Sequence, residues 1–412
     1  MPDSGTDGAP VQAGGRRIAF VPPRYGDEVV GGSEAVMREA AQGLAARGWE
    51  VEVLTTCARD HYTWRNEYPP GTTRVDGLTL RRFETVPPAV EERDVLGRRI
   101  LLGLPLSYDD QCRWINATLR VPSLFHHLLV HAAGYRAVVL SPYLSWITVA
   151  CLEIAPERTV LMPCLHDEVY AQLDLFRSAL SKPAGLWFLS EPEHQLAHHL
   201  ATLPGHTVTG AGVLVPSGYD PDGFRKRHGL DRPFVLYAGR REVGKGWDRL
   251  LEGFEQAVER HGLSLDLVSI GAGTPVIPPS IAPRVHDLGF VDEQDRNDAF
   301  AAAEAYLQPS VNESFSRTVM EAWLAGTPVI ASGQGAVVRW HCERSRGGLV
   351  YDDDLELAQC LLLVAEAPEA ARGLARNGRR YVLDNYPWRE VLDRMEASLG
   401  ELVGAGTAPA RP

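Results

Sequence analysis

With 412 residues the chain is longer than one hydrophobic core usually serves, so two domains are expected. Hydrophobic residues at 45% and charged residues at 23% fit a globular protein, and no apolar run approaches the ~20 residues that span a bilayer. A net charge of −12 argues against nucleic acid as the main partner, because backbone phosphates need clustered Lys and Arg, whereas a small anion needs only a few cations.

Residues 1–15 are small, polar and acidic and lack the basic start and apolar middle of a signal peptide. They read as a disordered tail on a cytoplasmic protein. Strand–helix alternation begins with RIAFVPP (17–23), a glycine-rich loop, and a helix from about Ser33 to Arg47, with Ser33 as N-cap and Gly48 as terminator. The strands VEVLTT (51–56), YRAVVLS (135–141), TVLMPCL (159–165) and GLWFLS (185–190) follow. Val215–Phe224, rich in Pro and Gly, is the expected linker. Beyond it FVLYAG (234–239), LDLVSIG (265–271), HDLGFV (286–291), AYLQPS (305–310), PVIAS (328–332) and GGLVY (347–351) read as strands. Between the first two, Leu250, Leu251, Phe254, Ala257 and Val258 mark one face of a helix. The expected domains are 16–215 and 216–385, with 386–412 forming a helix that packs back on the first domain and then a tail. Such alternation implies mostly parallel sheets covered by helices, whose ligands sit beyond the carboxyl ends of the strands. Two of them face to face place two ligands in one cleft, as a transfer reaction needs.

Three segments carry chemistry. In NESFSRTVMEAWLAGTPVIAS (312–332), Glu313 lies in a loop after a strand and Glu321 in the helix that follows, roughly 12 Å apart if the span is helical. The helix start between them offers free N–H groups and partial positive charge to a diphosphate, leaving one carboxylate for sugar hydroxyls and the other for ribose. Spacing alone favours two solvated glutamates, because Glu pairs at i, i+8 are common. YAGRREVGKGWDRLL (237–251) nearly matches a P-loop through Gly239, Gly244 and Lys245, but Gly246 stands where the Mg²⁺-binding hydroxyl belongs. Arg240 and Lys245 can still neutralise a diphosphate leaving group, or simply be solvated loop cations. In GDEVVGGSEAVMREAAQGLAARG (26–48), Gly31 and Gly32 let the backbone approach a ligand, or make a turn without one.

In one order along the chain stand the GGSE loop, LHDE (165–168), GRREVGKG, SIGAGTP, LGFV and E-x7-E followed by AGTPVIAS. This series resembles the retaining glycosyltransferases of family 4, whose GT-B fold sets two Rossmann-like α/β domains facing each other across a central cleft. The resemblance implies that Arg240 and Lys245 bind the donor diphosphate, Glu321 the ribose and Glu313 the transferred sugar. Ser314 joins that donor set, with the backbone at Phe315 and Ser316 near the phosphates and Phe290–Val291 at the base. Gly31 and Gly32 would close on the donor from the other domain, and His166 would stand beside the reacting centre. The sequence departs from the family pattern at Ser217, where Asn is common, and at Ser316, where Gly is common.

The expected activity is transfer from a nucleotide diphosphate sugar to an acceptor hydroxyl, with retention and without an essential metal or cofactor. Alternatives are a sugar phosphorylase or sucrose-synthase-like enzyme, a silent nucleotide-binding scaffold, and an NTPase. Tyr62 and Trp64 in HYTWRNEY (61–68), with Tyr108 and Asp167, are the candidate acceptor residues, although a packed surface loop explains HYTWRNEY as well. Asp352–Asp354 is read as a helix cap and Asp109–Asp110 has no companion cluster, so no metal site is expected. The six cysteines form no C-x-x-C pair and fit reduced, packed thiols. Arg98, Arg99 and the Ile100–Leu106 run are the candidate contact with the inner membrane face or a lipid-linked acceptor.

Overall fold

Short apolar runs become the strands of two largely parallel sheets, as burial on both faces requires. The computed structural model describes residues 15–29, 31–241 and 243–402. The expected tails therefore fall almost wholly outside the described residues.

The first unit contains β1 (Arg17–Val21), β2 (Glu50–Thr56), β3 (Gly71–Val75), β4 (Leu78–Phe83), β5 (Ala137–Leu140), β6 (Thr159–Leu161), β7 (Gly185–Phe188) and β8 (Gly205–Val208). Their order is β3-β4-β2-β1-β5-β6-β7-β8, and only β3 runs antiparallel to its neighbour. β1 is central: Ile18 lies between Val51 of β2 and Ala137 of β5. Ala19, Val21, Val138, Leu140, Leu161 and Phe188 pack with Leu124, Ile147 and Phe176 from the covering helices. Five of these strands match predicted runs, while β3, β4 and β8 do not. β3 is exposed throughout, so it has no apolar run to read. Its link to β4 was legible, since Asp76 (φ +51) and Gly77 (φ +78) form the Asp-Gly turn of a two-residue hairpin.

The second unit contains β9 (Phe234–Ala238), β10 (Asp266–Ile270), β11 (Val285–Asp287), β12 (Ala305–Gln308), β13 (Val329–Ser332) and β14 (Gly348–Tyr351), in the order β11-β10-β9-β12-β13-β14. All six lie within predicted runs except that β11 starts one residue earlier. Leu288–Val291 is loop. The helix Trp247–His261 buries Trp247, Leu250, Leu251, Phe254 and Ala257 against this sheet, with Val258 partly buried. Phe254 is fully buried, so truncating it to Ala costs about 3–5 kcal/mol.

The units divide elsewhere than at the expected linker. The first takes in the chain to Phe188, Leu196–Thr209 and the chain from Leu392, and the second Leu189–Gln195 and Gly210–Val391. Residues 210–215 join the second unit because Val213 N–H donates to Tyr386 O at 3.0 Å and Val213 bridges to Pro387. The helix Trp388–Leu402 belongs to both units. In its first-unit part Asp393 and Glu396 pair with Arg47, and Ser398 accepts from Trp187.

The strand order reverses between β1 and β5 in the first sheet, and between β9 and β12 in the second. In open α/β sheets these switch points, at the carboxyl ends, are where ligands bind.

Candidate active site

At the second switch point the loop after β9 carries Arg240 and Lys245, and the loop after β12 carries Glu313–Ser316. Lys245 closes a 3₁₀ turn, Val243–Lys245, and its Nζ lies 2.8 Å from Glu313 Oε1. Gly246 follows at φ +74, and a Cβ there would come 2.6 Å from Pro309 O. That approach explains why no hydroxyl-bearing residue occupies the position: the loop needs a left-handed residue without a side chain to lie on Pro309. The resemblance to a P-loop ends there. Arg240 is half-buried, and its carbonyl accepts from Tyr237 Oη at 2.6 Å.

The helix Arg317–Ala325 starts beside Glu313, and no side chain caps it. Its N-cap is Ser316, at φ +66 in the left-handed region and 5% exposed. The Ser316 hydroxyl accepts from Gln308 Nε2 at 2.5 Å, so it is turned into the protein. Phe315 is buried, its ring edge-on to His341 and Tyr386 with centroids 5.3 and 4.9 Å away. Half-buried Glu321 lies 3.6 Å from Arg296. Burial raises the Tyr306 phenol well above its usual range, and Glu313 and Glu321 both reinforce this. The two carboxylates thus act on one buried point beneath the switch, where Tyr306 donates to Thr318 at 2.9 Å.

Neighbouring loops are laced to this centre through the backbone. Gly239 N–H donates to Ile270 O at 3.0 Å, Arg241 to Ala272 O at 2.9 Å and Gly271 to Gly289 O at 2.7 Å. Phe290 (70% exposed) and half-buried Val291 follow directly. Beneath them Arg241, whose side chain is 1% exposed, pairs with Asp287 at 3.0 Å. The sequence reading missed this pair, because adjacent Arg240 and Arg241 look alike in a chain without depth.

In the first unit Gly31, not Ser33, is the N-cap of the helix Gly32–Ala46. Ser33 sits in the first turn and donates to Glu34 Oε2 at 2.8 Å, so its hydroxyl is occupied elsewhere. Glu34 also pairs at 2.5 Å with Arg24, both side chains nearly buried, beside Gly31. His166 and exposed Asp167 follow β6. Tyr62 is 66% exposed, and Trp64, at φ +51, has the Arg24 guanidinium 5.8 Å over its ring and its carbonyl bound by Thr85. Tyr108, 50% exposed, starts the helix Tyr108–Ala117, which packs on the helices Val90–Leu101 and Asp174–Ser181. Arg99 pairs with Asp110 at 3.5 Å and Ile100 is buried, while Leu101, Leu102 and Leu104 are exposed. No described helix is long and apolar enough to cross a membrane.

Asp353 caps its helix by accepting from Glu356 N–H at 2.9 Å. Among the described residues no group of three or more His, Cys, Asp and Glu is placed to hold a metal ion.

Residues 232–366 match the family model described as glycosyl transferases group 1. A D-inositol 3-phosphate glycosyltransferase of Saccharomonospora viridis is 32% identical, over 93% of this chain and 92% of its own length. The chain is a family 4 glycosyltransferase. Sucrose-phosphate synthase from Thermosynechococcus elongatus matches at TM-score 0.72 and 19% identity, covering 95% of this chain and all of that one. Anabaena HepE in complex with UDP-glucose matches at 0.69 and 16% identity, covering 93% and 99%. The family 4 enzyme therefore has the GT-B fold, each unit holding one Rossmann-like sheet. Within this glycosyltransferase the structure brings Lys245, Glu313, Phe315 and Ser316 to one switch point, with Arg240 on the same loop as Lys245. The support for that loop from Gln308, Tyr306 and His341 was absent from the sequence reading, since these lie on a strand and a later helix.

Proposed function

We propose that this glycosyltransferase takes a nucleotide diphosphate sugar as donor and transfers its glycosyl group to an acceptor hydroxyl, with retention and without a metal ion. The Lys245–Glu313 pair at the β9/β12 switch point carries the reading. One partner suits a diphosphate and the other sugar hydroxyls, beside an uncapped helix N-terminus. Arg240, Lys245 and the amides at Phe315 and Ser316 stabilise charge growing on the leaving phosphate, the part a metal would otherwise play. Glu313 accepts hydrogen bonds from the transferred sugar and Glu321 from ribose, while Phe290 and Val291 border the base. Ser314 belongs to the same donor loop. Gly31, Gly32 and His166 are assigned to the reaction by their family positions. Tyr62, Trp64, Tyr108 and Asp167 are assigned to the acceptor, the aromatic rings suiting the apolar faces of sugars. The acceptor oxygen bonds to the anomeric carbon as its bond to the diphosphate breaks, and the acceptor proton passes to the departing phosphate. A relative named for D-inositol 3-phosphate and a neighbour bound to UDP-glucose support a hydroxylated acceptor and a nucleotide-sugar donor.

Thermal stabilisation by UDP, GDP, dTDP and ADP, with and without Mg²⁺, tests the donor. A nucleotide at 100 times its dissociation constant adds about 2.7 kcal/mol. One metal-independent winner, then a donor screen with the product anomer read by NMR, should show turnover in EDTA and an unchanged configuration. Failure of all four nucleotides, loss of turnover in EDTA, or an inverted product would each remove the matching part of the proposal.

A further inference from the structure

At the carboxyl ends of β5 and β6, Tyr143 and Glu168 lie beside His166 and have no part in the proposed function. Cys164, at φ +50 in the left-handed region, turns the chain after β6 so that Leu165 is buried and His166 half-buried. Glu168 N–H donates back to His166 O at 3.0 Å, closing a tight turn. Glu168 Oε1 accepts from the Tyr143 hydroxyl at 2.7 Å and lies 3.8 Å from His166 Nδ1. Tyr143 comes from the segment after β5 and is 2% exposed. Its N–H donates to Pro163 O at 2.8 Å, and its ring stands edge-on to Phe176 at 5.0 Å. Burial, reinforced by the Glu168 charge, keeps this phenol protonated, so it serves the carboxylate as a fixed donor. One anchored oxygen is thereby held against the imidazole.

We propose that Glu168 is the positioning residue of His166: its carboxylate, anchored by Tyr143, orients the imidazole and holds it as a hydrogen-bond donor toward substrate oxygens. The proposal rests on the assignment of His166 to the reacting centre. At 3.8 Å the two groups are beyond direct hydrogen-bond reach, and they form an ion pair when the ring is protonated. A carboxylate at that range favours the cationic ring, in which both nitrogens donate. Asp167 on the same turn has the same sign but is exposed and screened. Burial, and after it the Glu168 charge, raises the phenol pKa values of Tyr143 and Tyr170, which are neutral around pH 7, and the Cys164 thiol lies 3.6 Å from the Ser141 hydroxyl. Glu168 is thus a charge close to the ring that is itself held in place by a buried partner. A Tyr143–Glu168 link could also serve only to fasten two loops, but that role would not set the titration of His166.

The test is the titration of His166 by NMR in the full-length protein with isotope-labelled histidine, assigned through His166→Gln, alongside steady-state kinetics. Glu168→Gln should lower the His166 pKa by about one unit. It should also lower kcat by about ten-fold with little change in donor KM, and move the pH–rate profile by the same interval. Tyr143→Phe should act in the same direction by less, and it carries the test if Glu168→Gln does not fold. An unmoved His166 titration overturns the proposal, as does a moved titration with unchanged kcat. If His166→Ala turns over normally while Glu168→Gln still shifts the titration, the failure lies in the assignment of His166 and not in its coupling to Glu168.

Discussion

Lys245 Nζ lies 2.8 Å from Glu313 Oε1, so the cation of one switch-point loop is already neutralised by the carboxylate of the other. The two side chains are 27% and 17% exposed, open enough for a ligand to compete for either. Desolvation of two half-buried charges offsets much of their attraction, so the pair adds little net stability. Lys245→Ala should therefore melt within a few degrees of the parent while kcat falls by about 10²–10³. Near-normal turnover in that variant would take Lys245 out of the mechanism.

Gly246 separates a nucleotide-sugar site from an NTPase one. Gly246→Ser restores the hydroxyl of a P-loop on paper, but its Cβ would meet the Pro309 carbonyl at 2.6 Å with φ at +74. Destabilisation of about 1–3 kcal/mol and weaker nucleotide binding are expected, with no gain of Mg²⁺ dependence. Urea unfolding and a nucleotide titration check both. A stable variant that hydrolyses ATP with Mg²⁺ would reverse the reading.

Ser316 shows two opposed effects at one residue. Its left-handed backbone costs roughly 1–2 kcal/mol, and its hydroxyl satisfies the buried amide of Gln308. Leaving that amide unpaired costs about 1–3 kcal/mol. Ser316→Gly removes both terms and should change stability by less than about 1 kcal/mol. Ser316→Ala keeps the strain and loses the bond, so it should be the less stable of the two. Denaturant midpoints with equal slopes measure the order, and Ala at or above Gly would contradict it.

Acid should weaken the second unit through His341. Complete burial pushes its pKa down to about 3, with the Phe315 backbone opposing, and Nδ1 lies 3.0 Å from the Tyr381 hydroxyl. The unfolded chain takes up this proton near pH 6.5 and the folded chain only near 3. His341 thus favours the fold above pH 6.5, and that contribution is lost as pH falls toward 3, at up to about 1.4 kcal/mol per pH unit. His127, lowered to about 4 mainly by burial, acts in the same sense in the first unit. In unfolding experiments from pH 7.5 to 4.5, His341→Gln should show a shallower acid dependence than the parent. An unchanged slope would place the titrating group elsewhere.

The strands of the second sheet were legible because β9, β10, β12 and β13 are buried on both faces and bring short, largely apolar runs into the sequence. The edge strands β3 and β8 were not, because an exposed edge sets little constraint on side chains. The helix Gly32–Ala46 was legible and its cap was not. Ser33 suits an N-cap by type, but Glu34 takes its hydroxyl, and that competition is invisible to propensity.

The chemistry divides along the same line. By itself the sequence determined the family, the succession of loops and the residue types on them, because a switch-point loop is a short stretch of chain whose composition states what charge it offers. Only the tertiary structure decided that Lys245 meets Glu313, that Gly246 lies on Pro309, that Gln308 turns Ser316 inward and that Tyr143 anchors Glu168 beside His166. Most of these pairs join segments tens of residues apart, and sheet pairing, which no local pattern records, brings those segments side by side.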